Sequence, residues 1–146
     1  MSIVTGNTEY FPGIGKIAYE GRDSDNPLAF KWYDENAVVG SKTMKETLRF
    51  AIAYWHTFCG TGGDPFGGGT HAFPWFAGDA ETRAKNKMDA AFEFITKIGA
   101  PYYCFHDYDF VEEGETMGDH SSRNRPIRME CPQSHYPVGA KGFTFA

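Results

Sequence analysis

The sequence predicts an α/β fold whose recognisable part is one βαβ unit. Three observations predict it: an apolar, aromatic run from Leu48 to Phe58, an amphipathic helical pattern from Asp79 to Ile98, and a second short apolar run, Tyr102-Tyr103-Cys104-Phe105. Strand, helix, strand in that order is a crossover to a parallel neighbour. An open doubly wound sheet and a (β/α)8 barrel both begin this way. Both also place their chemistry outside the carboxyl ends of the strands.

Residues 1–40 set Pro12, Gly13, Gly15, Gly21, Pro27 and Gly40 between short apolar pieces, which predicts an amino-terminal arm without a long helix. At Ser41-Lys42-Thr43-Met44-Lys45-Glu46 a helix start is expected, because Glu46 follows Thr43 at capping-box spacing. Phe50-Ala51-Ile52-Ala53-Tyr54-Trp55-His56-Thr57-Phe58 reads as a buried parallel strand, although periodicity alone does not separate strand from helix there. From Cys59 to Gly78 the chain has no period and is rich in glycine, yet it carries Phe66, Phe73, Trp75 and Phe76. Aromatic content of that kind argues for an ordered, functional loop rather than a linker.

Asp79 is the expected cap of the long helix. Its apolar stripe is Ala84, Met88, Ala91, Phe92, Ile95 and Ile98; Arg83, Lys85, Lys87, Glu93 and Lys97 are expected to face out, and Gly99 to end the helix. Pro101 blocks continuation, and the following run is a second buried strand whose carboxyl end carries His106-Asp107-Tyr108-Asp109. Residues 41–118 therefore hold two strands and a helix. Residues 119–146, with Pro126, Pro132 and Pro137 and no periodicity, are expected to be a divergent, disordered tail.

Composition bounds the function. A chain of 146 residues is one domain. With 14 Lys and Arg against 19 Asp and Glu, it has no basic footprint for a phosphate backbone, which excludes nucleic acid as the expected partner. No apolar run approaches the ~18 residues of a membrane span, and the start has neither the basic nor the apolar region of a secretory leader. A soluble, cytoplasmic protein is expected. Cys59, Cys104 and Cys131 are odd in number and widely spaced, as reduced thiols would be. Aromatic residues, at 16%, suit both cores and sugar-binding clefts.

Three constellations carry possible chemistry. The glycine cluster lacks the Gly-Lys-Ser/Thr of a phosphate loop and the third glycine of a dinucleotide turn, so tight loop folding is the better reading. His56, Cys59, Cys104 and His106 lack the paired spacing of a structural zinc site. His106-Asp107-Tyr108-Asp109 is the third. An imidazole beside carboxylates at a strand's carboxyl end suits proton transfer near neutral pH, and a helix-capping role fits the same residues equally well.

Several motifs in order now resemble one family. Phe11-Pro12-Gly13, Asn26-Pro27-Leu28-Ala29-Phe30-Lys31-Trp32-Tyr33, Tyr54-Trp55-His56-Thr57-Phe58, Gly63-Asp64-Pro65-Phe66-Gly67, Ala84-Lys85-Asn86-Lys87-Met88-Asp89 and Tyr103-Cys104-Phe105-His106-Asp107-x-Asp109 are similar to the amino-terminal part of the longer, class II type of xylose isomerase. The resemblance runs over residues 10–115. It implies the first βα units of a (β/α)8 TIM barrel, incomplete in this chain, in a homotetramer. It implies interconversion of D-xylose and D-xylulose, with D-glucose as a further substrate, by a hydride shift assisted by two divalent ions (Mg, Mn or Co). By the same match His106 assists opening of the sugar ring, Asp109 holds and polarises the His106 ring, Trp55 lines the sugar site, and Phe66 reaches into a neighbouring subunit's site.

The sequence also departs from that pattern. A barrel needs about 250 residues and eight strands, and the family's metal ligands lie on later strands, so no residue here is assigned to metal. After Glu115 the family continues into a long amphipathic helix, where this chain turns to a proline-rich stretch. A truncated or frame-shifted chain, inactive alone, is the expectation. A non-catalytic carbohydrate-binding or assembly piece is the alternative.

Overall fold

Local capping sets the first elements. Gly40, at φ 66°, turns the chain between β1 (Val38–Val39) and β2 (Lys42–Thr43), an antiparallel pair of the kind that needs a left-handed residue. Thr43 then opens α1 (Met44–Thr47): its hydroxyl accepts from the Glu46 N–H at 3.3 Å, and the Glu46 carboxylate accepts from the Thr43 N–H at 2.8 Å. This is the expected capping box. The computed structural model describes residues 6–111, 116, 118 and 141–144.

The expected βαβ unit is present. β3 (Ala51–Ala53), α2 (Ala80–Ile98) and β4 (Tyr102–Phe105) follow in order, and β3 pairs with β4 in parallel, Ala51 opposite Tyr102 and Ala53 opposite Cys104. After β4 comes one helical turn, α3 (Asp107–Phe110), and then β5 (Lys141–Thr144), which pairs in parallel with the other edge of β4. The sheet order is β3-β4-β5, an α/β piece without barrel closure among the described residues. β5 falls within the stretch set apart as a tail, and it begins only after the last of its prolines, where a backbone can donate along a ladder. The remainder of that stretch, with Cys131, lies outside the described residues.

The run from Phe50 to Phe58 is not one strand. β3 ends at Ala53, Tyr54 is already helical (φ −60°, ψ −43°), and Trp55–Cys59 forms a π-helical turn. The physical reason lies in which side chains are buried. An extended chain would put His56 on the same face as Tyr54 and Phe58. The helical turn instead buries Tyr54 and Phe58, at 1% and 0% exposure, while His56 stays exposed.

α2 starts and stops as its sequence requires. The Asp79 carboxylate accepts from the Thr82 N–H at 2.8 Å, and Gly99, at φ 76°, closes the far end. Ala84, Met88, Ala91, Phe92 and Ile95 are buried; full burial of Phe92 or Ile95 contributes about 1.5–3 kcal/mol each. Lys87, Glu93 and Lys97 do not face out. They are 9%, 0% and 3% exposed: the amino-terminal arm lies over Glu93 and Lys97, and Lys87 meets Cys59 at the end of the π-helical turn. Glu93 accepts from the N–H groups of Tyr10 and Phe11 at 2.8 and 2.9 Å, and Lys97 Nζ donates to Glu93 at 2.7 Å, to the Phe11 carbonyl at 2.7 Å and to Glu9 at 3.0 Å. A buried ion pair of this kind is tolerable because nearly every lone pair and proton has a partner. Among the described residues no helix is long and apolar enough to cross a membrane.

Candidate functional site

The parallel register sets the site. Ala53 and Cys104 are the last paired positions of β3 and β4. Two residues further along the chain from each, just past the strands, lie Trp55 and His106, whose ring centroids are 4.6 Å apart at an interplanar angle of 49°. Both sit where the two strands emerge at their carboxyl ends, the end of a parallel sheet at which α/β proteins bind ligands.

His106 is the residue before α3, and Asp109 is the third residue within it. One Asp109 oxygen, Oδ2, accepts from the His106 backbone N–H at 2.6 Å and stands 3.3 Å from His106 Nδ1. The His106 side chain keeps 33% exposure while that of Asp109 keeps 1%. The capping reading of this motif is realised: the carboxylate caps the turn, and the same oxygen lies beside the imidazole. Nδ1 is the ring nitrogen turned toward the carboxylate.

Phe66 is not part of this cluster. It is 97% exposed at the tip of a turn in which Asp64 and Gly67 exchange backbone hydrogen bonds and the Asp64 carboxylate accepts from the Phe66 N–H at 2.8 Å. The Thr61 carbonyl accepts from the N–H groups of both Thr70 and His71, at 2.8 Å each, and closes the loop at its base. Beyond it the short 3-10 turn Pro74–Phe76 packs inward: Trp75 is buried and its Nε1 donates to the Phe58 carbonyl at 2.9 Å. The long loop is thus anchored at both ends and presents an aromatic at its tip.

The residues weighed as a zinc set are not brought together as one. Cys104 Sγ lies 3.7 Å from the Ile52 carbonyl, and Cys59 Sγ lies 3.4 Å from the Asp109 carbonyl. Burial raises both thiols above their ordinary range. Among the described residues no three His, Cys, Asp or Glu side chains converge on a point where a metal ion would be held. A hollow of about 280 Å³, lined by Phe30, Tyr33, Phe50, Ile52, Ile98 and Pro101, opens at the amino ends of β3 and β4, away from His106. Sequence reasoning missed Lys87, which stands behind the site on α2. Its position, one residue short of the Met88 of the apolar stripe, was the available signal.

Fold and site together define an α/β segment with a histidine–carboxylate pair at the mouth of a parallel sheet. No protein-family model matches the chain. It is 61% identical over 141 residues to a xylose isomerase of Xanthomonas oryzae pv. oryzae strain MAFF 311018, and 64% identical over 137 residues to xylose isomerase 1 of Xanthomonas axonopodis pv. citri strain 306. To xylose isomerase 1 of Xanthomonas campestris pv. campestris strain 8004 it is 54% identical over 141 residues. These matches take in 93–96% of this chain and 31–32% of the relatives. The chain belongs to the xylose isomerase family and spans about a third of the length of the curated relatives it matches. A match of 141 residues out of 146 also extends past residue 119, further than the motifs of residues 10–115 carried the resemblance.

Proposed function

We propose that this chain is the His106-bearing segment of a cytoplasmic aldose–ketose isomerase that interconverts D-xylose and D-xylulose, and D-glucose with its ketose, by a hydride shift within a homotetrameric TIM barrel. The observation that carries the reading is the half-exposed imidazole of His106, lying against Trp55 with a buried carboxylate at its Nδ1. In this reading Trp55 presents a flat apolar wall to the sugar face. Nε2 of His106 exchanges a proton with the ring hydroxyl and ring oxygen as the cyclic sugar opens, and Asp109 holds the ring in one orientation and steadies its charge.

Two divalent ions (Mg, Mn or Co) supply Lewis-acid stabilisation of alkoxide charge in the proposed whole enzyme when bound. The described residues do not fit them: Asp109 is committed to His106, and no other carboxylate joins it in a ligand set. No step is assigned to this chain through the metals, and alone it is inactive in this reading.

Phe66 favours a second reading that is compatible with the first. A 97% exposed phenylalanine on a tight, anchored turn has the form of a group meant for another molecule, either a neighbouring subunit's sugar site or an assembly contact.

The test is complementation. The chain is co-expressed with a polypeptide carrying the remaining two-thirds of a relative, and xylulose formation from xylose is measured with magnesium. Turnover that needs both pieces and is lost in His106→Asn is expected. Co-purifying pieces whose turnover ignores His106→Asn would overturn the catalytic assignment, and xylose turnover by the chain alone would overturn its inactivity.

A further inference from the structure

Cys59 closes the π-helical turn that begins at Trp55, and its sulfur sits where three elements meet. On one side, 3.4 Å away, is the backbone carbonyl of Asp109 in α3; on the other, 3.6 Å away, is Nζ of Lys87 in α2. Lys87 is only 9% exposed. A buried ammonium is costly unless it is hydrogen-bonded, and the group it meets here is this thiol. Burial raises the thiol above its ordinary value of 9.0; Lys87 pulls it down and the Asp109 charge pushes it up again. The thiol therefore keeps its proton at neutral pH and acts as a donor, a weak one.

We propose that Cys59, backed by Lys87, is a positioning residue for the His106–Asp109 pair. The Lys87 ammonium donates to the sulfur, the S–H donates to the Asp109 carbonyl, and this chain fixes the turn Asp107–Phe110. That turn in turn fixes the carboxylate oxygen facing both the His106 N–H and Nδ1. A cysteine serving only as a small buried hydrophobe would need neither partner. The catalytic meaning of the inference rests on the function proposed above; the contact itself does not.

Amide hydrogen exchange by NMR on the full 146-residue chain tests it. In Cys59→Ala the His106 amide exchanges about tenfold faster, as loss of one supporting hydrogen bond allows, while the Ile95 amide inside α2 keeps its rate. The Trp55 indole resonance shifts in the same variant, and Cys59→Ser, which restores a donor, returns both readouts toward the parent. Lys87→Met, which keeps the thiol and removes its support, accelerates His106 in the same local way and serves if the alanine variant does not fold. An unchanged His106 amide in these variants would refute the proposal. So would a serine variant indistinguishable from alanine, or Ile95 accelerating as much as His106. None of these readouts involves a sugar, so failure here is distinct from failure of the isomerase reading, which the complementation assay decides.

Discussion

A single oxygen of Asp109 lies 2.6 Å from the His106 backbone nitrogen and 3.3 Å from Nδ1 of the same residue. One buried carboxylate thus bonds the backbone of the proposed catalytic histidine and lies beside its ring. Asp109→Asn keeps the volume but replaces a charged acceptor by a neutral amide, which must present its oxygen to the N–H and then offers no charge to the ring. Hydrogen bonds to charged groups are worth about 1.5–3 kcal/mol, and Asp109 is buried, so a loss of that order in urea denaturation is expected. An unchanged midpoint would show that the carboxylate does not secure the turn.

Glu93 and Lys97 clasp the arm to α2, and their contribution depends on pH. Burial works against the Lys97 charge, but the Glu93 and Glu9 carboxylates outweigh it, and the net shift is upward from 10.5. A cation whose pKa is raised by folding stabilises fully below its unfolded value, and that stability is lost as pH rises through the folded value. Tyr10, raised by burial and then by Asp89 and Glu93, acts in the same direction. The urea midpoint is therefore expected to fall on going from neutral to strongly alkaline pH, more steeply in the parent than in Lys97→Met. Parallel pH profiles would remove Lys97 as the cause.

Glu93→Gln breaks the same clasp at its centre. It leaves a buried ammonium with one carboxylate fewer, a loss of about 3–5 kcal/mol where a buried pair is split. Because Glu93 also accepts from Tyr10 and Phe11, the arm should come loose before the βαβ unit does. Limited proteolysis is expected to cut the variant between residues 9 and 18 under conditions that leave the parent intact. Equal protection of the two would place the arm's anchorage elsewhere.

What could be read in advance follows from the range of the forces involved. Caps and stops are local, so Thr43 with Glu46, Asp79 and Gly99 behave as their spacing says. The parallel pairing of β3 with β4 follows from the order of apolar segments. The burial of Glu93 and Lys97 was not legible, since it depends on Tyr10 and Phe11, more than eighty residues away in the chain. Their spacing as an i, i+4 pair announced a salt bridge, which on most helices is solvated. The run through Trp55 was ambiguous for a different reason: its apolar pattern fits strand or helix, and the π-helical turn packs Tyr54 on Phe110 and Phe58 on Trp75 while leaving His56 exposed. At the site, the motif gave the His106–Asp109 pair, but the thiol and ammonium behind it come from two other elements.

Gly99 ends α2 in the left-handed region, at φ 76°, with its N–H donating to the Ile95 carbonyl at 2.9 Å. A Cβ built there would meet Lys16 Cε at 3.6 Å, an ordinary contact, so space is not the obstacle and conformation is. Gly99→Ala is expected to cost about 1–2 kcal/mol, the penalty of a non-glycine residue in that region. Gly99→Asn should cost less, because asparagine tolerates that region. Thermal melts of the two variants check the order, and alanine matching asparagine would mean that the terminus relaxes to another conformation.

Phe66 separates stability from assembly. Its side chain is almost wholly exposed and the turn beneath it is held by backbone bonds and by Asp64, none of which needs the ring. Phe66→Ser should therefore leave the urea midpoint within about 0.5 kcal/mol of the parent, as substitutions away from packed positions do. An exposed aromatic that is kept out of its own core loses nothing on folding, but it gains on association, where full burial of a phenylalanine is worth about 1.5–3 kcal/mol. That range corresponds to roughly ten- to a hundredfold in a dissociation constant. Sedimentation of the chain mixed with a full-length relative should show weaker incorporation of Phe66→Ser by that factor. Incorporation equal to the parent's would leave Phe66 without a role between subunits, whatever His106 does within one.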